Sequence, residues 1–180
     1  GAVAGFFGGM VDNVIMRACD VFLAVPMMLM AIVIVAALGA SITNLVVALA
    51  ISSVPTFARI VRSAVLGVRD MEYVEAARAV GVKTGRTIAR YILPNCMGPI
   101  IVQTTLRIAA TISNTAALSF LGLGVKPPQP EWGALLSSGR EFIRDSAYLA
   151  CIPGVCIMLT ILALNLLGDG LRDALDPRLK

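Results

Sequence analysis

Glu75-Ala76-Ala77-Arg78-Ala79-Val80-Gly81, with Tyr91-Ile92-Leu93-Pro94 after it, is a short charged segment in a chain that otherwise reads as membrane. Its composition predicts a small helix. Asp70 is placed to cap it, Glu72 opposes the positive end of its dipole in the first turn, and the alanines favour helix while keeping its surface low. Gly81 supplies the stop. Thr84 is then expected to cap a second helix running through Arg90 towards Pro94. A first helix of roughly ten residues is too short to stand alone in water, so it must pack against something. Its small side chains suit insertion into a groove on a partner. The plainer alternative is a solvated loop helix carrying a Glu75–Arg78 surface pair, worth a few tenths of a kcal/mol.

Working outward, the composition sets the class. Hydrophobic residues make up 58% of 180 and charged ones 14%, with a mean hydropathy of +0.86. Soluble domains run at about 45–50% apolar and about 25% charged. Residues 21–58 and 146–168 carry no charge at all, and one crossing needs roughly 20 apolar residues. The chain is read as integral to a membrane. Histidine is absent, which removes the commonest general base and the commonest metal ligand and argues against metalloprotease and Ser/His chemistry. Cys19, Cys96, Cys151 and Cys156 show no C-x-x-C spacing, and no phosphate-cradling G-x-x-x-x-G-K-[ST] occurs. No metal site is expected; Asp169, Asp173 and Asp176 are taken instead with Gly168 as a helix stop and restart, and Asp176-Pro177 as a terminator.

Five spans are expected, at about residues 1–7, 21–38, 42–60, 94–118 and 147–167, with Pro26 and Pro55 as kinks inside two of them. Gly8–Asp20 is read as a loop on the same side as residues 70–90. Gly1 opens on what looks like the tail of a span without a charged leader region, so the chain is expected to be an N-terminally truncated piece forming one domain over 1–180. With that arrangement Arg17, Arg59, Arg62, Arg69, Arg78, Lys83, Arg86, Arg90, Arg172, Arg178 and Lys180 fall on one side, against Lys126, Arg140 and Arg144 on the other. Positive charge marks the cytosolic side, so the Glu75 loop and the C-terminus are expected there.

The fourth span carries Gln103, Thr104, Arg107, Thr111, Asn114 and Thr115. At about 100° per residue they share an arc of roughly 120° on one helix face. A polar stripe inside a span faces the bundle interior or water, and a charge such as Arg107 costs at least about 2.5 kcal/mol there if unpaired. Gln103, Thr104, Arg107, Thr111 and Asn114 are therefore candidates for the lining of a translocation pathway. Interhelical hydrogen bonding without substrate contact is the alternative.

The pattern E-A-A-x-x-x-G-x9-(I)-x-L-P resembles the signature of permease subunits in bacterial ABC importers, with Tyr91 replacing the usual Ile. Gly8-Gly9-Met10-Val11-Asp12-Asn13, Ala117-Leu118-Ser119-Phe120-Leu121-Gly122-Leu123-Gly124, Glu131-Trp132-Gly133 and the run from Asn165 to Arg178 extend the likeness over essentially the whole chain. Together these resemble the C-type permeases of dipeptide, oligopeptide and nickel importers. The resemblance implies an all-α fold, a polytopic transmembrane helix bundle of the type I importer kind in the bacterial inner membrane. It implies that Glu75, Ala76, Ala77, Gly81, Leu93 and Pro94 belong to a cytosolic coupling helix and its flank, docking on an ATPase. It further implies a second homologous permease, two ATPase subunits that bind ATP-Mg, no cofactor in this chain, and an extracytoplasmic substrate-binding protein. The expected function is ATP-driven import of di- or oligopeptides without covalent chemistry, with a nickel chelate or glutathione as the alternative cargo. Residues 132–144 read as an amphipathic outer helix, either receiving the binding protein or closing the loop at the membrane surface. A passive channel or membrane scaffold is the rival from another class.

Overall fold

Two glycines make the first break in the chain. Gly8 and Gly9 take positive φ, 62° and 51°, a region costly for residues with a Cβ, and there α1 (Ala2–Phe7) gives way to α2 (Gly9–Leu23). The computed structural model describes residues 1–125 and 128–175, and every regular element among them is helical. Residues 8–20, expected as a loop, are therefore mostly helix. Their charges suggested a loop, yet Asp12 and Asp20 are held by arginines of a later helix.

The second break is at Pro26, which begins α3 (Met27–Leu38) with an extended backbone, φ −52° and ψ 133°. Proline removes a donor and disfavours helix in the residue before it. Here α2 ends at Leu23 and α3 begins at Met27, so residues 21–38 are broken on either side of Pro26 rather than one continuous helix. The turn into α4 (Ile42–Leu66) is closed by side chains. Ser41 Oγ accepts from the Asn44 amide at 3.1 Å, and Asn44 Nδ2 donates to the carbonyls of Leu38 and Gly39 at 2.8 and 2.9 Å. The α4 helix continues through Pro55, Arg59 and Arg62.

After α4 come α5 (Glu72–Ala79), α6 (Thr84–Thr87), a π-turn at Ile88–Ile92 and a 3-10 turn at Pro94–Cys96. These lead into α7 (Met97–Phe120). A short α8 (Trp132–Gly139) and a 3-10 turn at Arg140–Phe142 replace the longer helix expected over 132–144. The carboxylate of Glu131 caps α8, accepting from the amides of Gly133 and Ala134 at 3.0 and 2.7 Å. Lys126 lies outside the described residues.

The last helix, α9 (Tyr148–Leu175), runs unbroken past Gly168 and Asp169, which corrects the stop and restart expected there. Gly168 is buried, and a Cβ on it would lie 3.0 Å from Leu106 Cδ2. This glycine serves close packing rather than a turn. The terminator at Asp176-Pro177 lies outside the described residues. Among the described residues, α4 and α9 are each long and apolar enough to cross a membrane, and α2 with α3 passes the same test as a bent pair.

Contacts group the chain into two units. One comprises Gly1–Ala24, Val54–Thr104 and the described residues from Gly170. Its core is Val65, Val74, Ile92 and Cys96, with Ala2, Phe6, Val61, Ala64, Val68 and Ile100 against them. Gly5 lets α1 meet α4 closely, since a Cβ there would lie 2.9 Å from the Arg62 carbonyl oxygen. Charged contacts tie the same region. Arg62 makes a two-pronged pair with Asp12, Arg59 pairs with Asp20, and Arg69 donates to the Gly5 carbonyl at 3.1 Å. The other unit comprises Val25–Ser53 and Thr105–Asp169. Ala31, Val35, Leu45, Ala48, Leu49 and Leu118 form its core.

Candidate coupling helix and polar helix face

The α5 helix is two turns long and is held by one face. Val74 is completely buried and Ala77 nearly so, whereas Glu72, Glu75, Ala76 and Ala79 are exposed. The 74/77 spacing puts both anchors on the inner side of the helix. Its N-cap is Met71, with no side-chain cap; Asp70, expected in that role, pairs instead with Arg69 at 3.1 Å. Its other end is built as the sequence suggests. Gly81 has φ 79°, its amide donates to the Arg78 carbonyl at 2.9 Å, and the Val82 amide donates to Ala77 at 3.1 Å. This is the double closure of a Schellman motif, with glycine at the left-handed position.

Arg78 does not pair with Glu75. Its guanidinium lies 4.7 Å from the centroid of the Phe6 ring, a cation–π contact that ties α5 to α1. Glu75 has no ion-pair partner among the described residues and points its carboxylate away from the core. Tyr73, also on α5, has its phenol pKa raised, burial being the main cause.

Thr84 begins the following helix, with Lys83 at the cap position. The helix then widens into the π-turn, where the Leu93 amide reaches back to the Ile88 carbonyl at 2.9 Å. Leu93 is half-buried beyond it, and Pro94 opens the 3-10 turn, where a missing amide hydrogen costs nothing. The π-turn was not legible in the sequence, since no residue type marks one. Such bulges occur often at functional segments.

On α7, Gln103, Arg107, Thr111, Asn114 and Thr115 are half-buried and Thr104 is exposed. The threonine hydroxyls are spent within the helix. Thr104 donates to the Ile100 carbonyl at 2.7 Å, Thr111 to Arg107 at 2.8 Å and Thr115 to Thr111 at 2.9 Å. That is the usual local bond of a helical threonine. Gln103, Arg107 and Asn114 have no side-chain partner among the described residues. By helical angle they occupy a strip of roughly 40°, the part of the stripe free to meet another molecule. Thr111 and Thr115 also line a mainly apolar cavity of about 440 Å³ with Leu45, Leu49 and Ser53.

Comparison with known proteins supplies the family. The description "binding-protein-dependent transport system inner membrane component" matches residues 1–180. The chain is 50% identical over its whole length to a dipeptide transport system permease protein of Alkalihalophilus pseudofirmus. It is 48% identical to a di/tripeptide transport system permease protein of Pseudomonas aeruginosa, and 48% identical to a glutathione transport system permease protein of Pectobacterium atrosepticum. It spans 59%, 59% and 60% of those three proteins. A match that runs from the first residue to the last means that the chain belongs to the family of binding-protein-dependent transport system inner membrane components.

Proposed function

We propose that the protein containing this chain is the permease subunit of an ATP-driven importer for di- or oligopeptides, with α5 as the helix that couples it to an ATPase. The supporting observation is how α5 is held. Val74 and Ala77 fix it to the core, Arg78 ties it to Phe6, and the Schellman closure at Gly81 fixes its far end. Glu75, Ala76 and Ala79 are left outward on a rigid, slender helix. A joint of that kind can take a push on its outer face and pass it to α1 and α4, on which its inner face rests. ATP-Mg would be bound and hydrolysed by two partner ATPase subunits, with a second permease beside this one and an extracytoplasmic binding protein delivering substrate. The ligand shifts such a machine only through its different affinity for the two states, so the joint must be stiff. The C-terminus and the Glu75 loop share the cytosolic side in this arrangement, as the arginine distribution supports.

Peptide cargo rests on the names of the dipeptide and di/tripeptide permeases. Glutathione is the second reading, favoured by a relative named for it at 48% identity; it is itself a small peptide. Gln103, Arg107 and Asn114 are the side chains on α7 best placed to meet a substrate carboxylate or amide.

Glu75→Lys and Gly81→Pro in the full-length protein test the joint. Glu75→Lys reverses the outward charge. Gly81→Pro removes an amide that closes the helix and forbids the φ of 79°. Both variants should insert into the membrane, yet ATP hydrolysis should no longer drive uptake. Normal uptake by both would contradict the role of α5.

A further inference from the structure

A second surface lies just beyond α5 and shares only Gly81 with the coupling residues. Val80, Gly81, Val82, Lys83, Arg86, Arg90 and Tyr91 line a groove of about 690 Å³. Three cations converge on it and no carboxylate lines it. None of Lys83, Arg86 and Arg90 has an ion-pair partner among the described residues, whereas Arg17, Arg59, Arg62 and Arg69 all have one. The rest of the lining is apolar or aromatic, and Val80 is 82% exposed. Three like charges lining one space, with no carboxylate among them, favour an anion there.

Position along the chain narrows the class of that anion. Arg90 is four residues before Pro94, about 6 Å of helix rise. The headgroup layer on one side of a bilayer is about as thick, roughly 5–8 Å. With residues 94–118 read from the sequence as a span, the groove lies within one headgroup thickness of the membrane on its cytosolic side. Arginine, lysine and tyrosine are the residue types of that layer, and anionic lipids are concentrated on the cytosolic leaflet. The valines and the tyrosine ring give the glycerol and upper acyl carbons an apolar wall. A cytosolic protein would instead engage the outward face of α5, where Glu72 and Glu75 are exposed.

We propose that the Lys83–Arg86–Arg90 groove binds the phosphate headgroup of an anionic phospholipid at the cytosolic surface. The placement rests on the orientation given above for the Glu75 loop. A bound lipid there would brace the segment that joins α5 to α7 against the membrane plane, so that displacement of α5 is not lost in a floating loop.

The test is native mass spectrometry of the full-length protein, released with its companions into detergent containing equal amounts of phosphatidylglycerol and phosphatidylcholine. The wild type should retain phosphatidylglycerol in preference. The triple variant Lys83→Gln, Arg86→Gln, Arg90→Gln should retain it on the order of 100-fold less strongly, at about 1 kcal/mol per basic residue near a membrane. The charge-keeping variant Lys83→Arg, Arg86→Lys, Arg90→Lys should behave as wild type. If the triple variant does not accumulate, Arg90→Gln alone should show a loss of about fivefold. Equal retention of the two lipids by the wild type overturns the proposal. So does displacement of phosphatidylglycerol by millimolar inorganic phosphate, which would make the groove a site for the free ion. Undiminished retention by the triple variant with loss of an ATPase companion would mark the groove as a protein surface instead. Lipid retention is read without ATP or transport, so it stands even if Glu75→Lys leaves uptake normal.

Discussion

Arg107 is the residue on which the pathway reading turns. It is half-buried on α7 with no partner for its guanidinium among the described residues, and the neighbouring threonines have spent their hydroxyls on their own helix. Within a membrane span, as the sequence reading places it, such a charge is expensive unless something meets it. A substrate carboxylate and an acid of a second permease are the two chemistries that do so. Arg107→Gln and Arg107→Ala should each lower uptake at low substrate concentration by about tenfold or more, the scale of one charged hydrogen bond. Uptake assays in cells or vesicles decide it; unchanged uptake removes Arg107 from the pathway. The polar stripe was legible because it follows helical spacing within one segment. The Asp12–Arg62 and Asp20–Arg59 pairs were not, because their members are far apart in sequence and each residue alone reads as a loop charge. The same limit hid Phe6 as the partner of Arg78, in place of nearby Glu75.

Elements show a similar division, and the glycines display it best. Gly81 reads correctly as a helix stop because a charged, alanine-rich run before it and a new helix after it leave few alternatives. Gly168 reads wrongly as a stop because its reason for being glycine is Leu106, a contact that no local pattern contains. Stability of α8 should follow this contact logic. A Cβ on Gly133 would lie 2.5 Å from the carbonyl oxygen of Ala116 on α7, and backbone cannot swing aside as a side chain can. Gly133→Ala should therefore destabilise the protein by about 1–3 kcal/mol, the usual range for overpacking. Gly170, in the interior of α9 with nothing within 4 Å of its would-be Cβ, provides the contrast. Gly170→Ala should be neutral or stabilising by up to about 1 kcal/mol through helix propensity. Thermal unfolding of the two variants in the same detergent checks the pair; equal shifts in both would mean that the α7–α8 approach is not tight.

At the scale of the whole molecule the question is what covers the apolar surface. Ile152, Val155, Met158, Leu159, Leu162, Leu166 and Leu167 of α9 are all exposed, and only 6% of its most apolar stretch is buried. Exposed apolar area on that scale marks a surface for lipid or for another protein. Lipid can take α9, whose stretch from Tyr148 to Gly168 is uncharged. It is a poor neighbour for Gln103, Arg107 and Asn114, which need polar company in a membrane. It is equally poor for Glu75 on its slender helix, which faces water unless a protein receives it. A chain with one lipid-ready helix, one polar helix face and one slender charged helix held by a single face is expected to work as part of an assembly. Gentle purification of the full-length protein from its native membrane, followed by mass spectrometry, should therefore recover a second permease and P-loop ATPases. A binding protein recovered with them could then be assayed for its bound peptide. Recovery of this protein alone, or as a homo-oligomer even after cross-linking, would leave Glu75 without a receiver and turn the reading towards a passive channel.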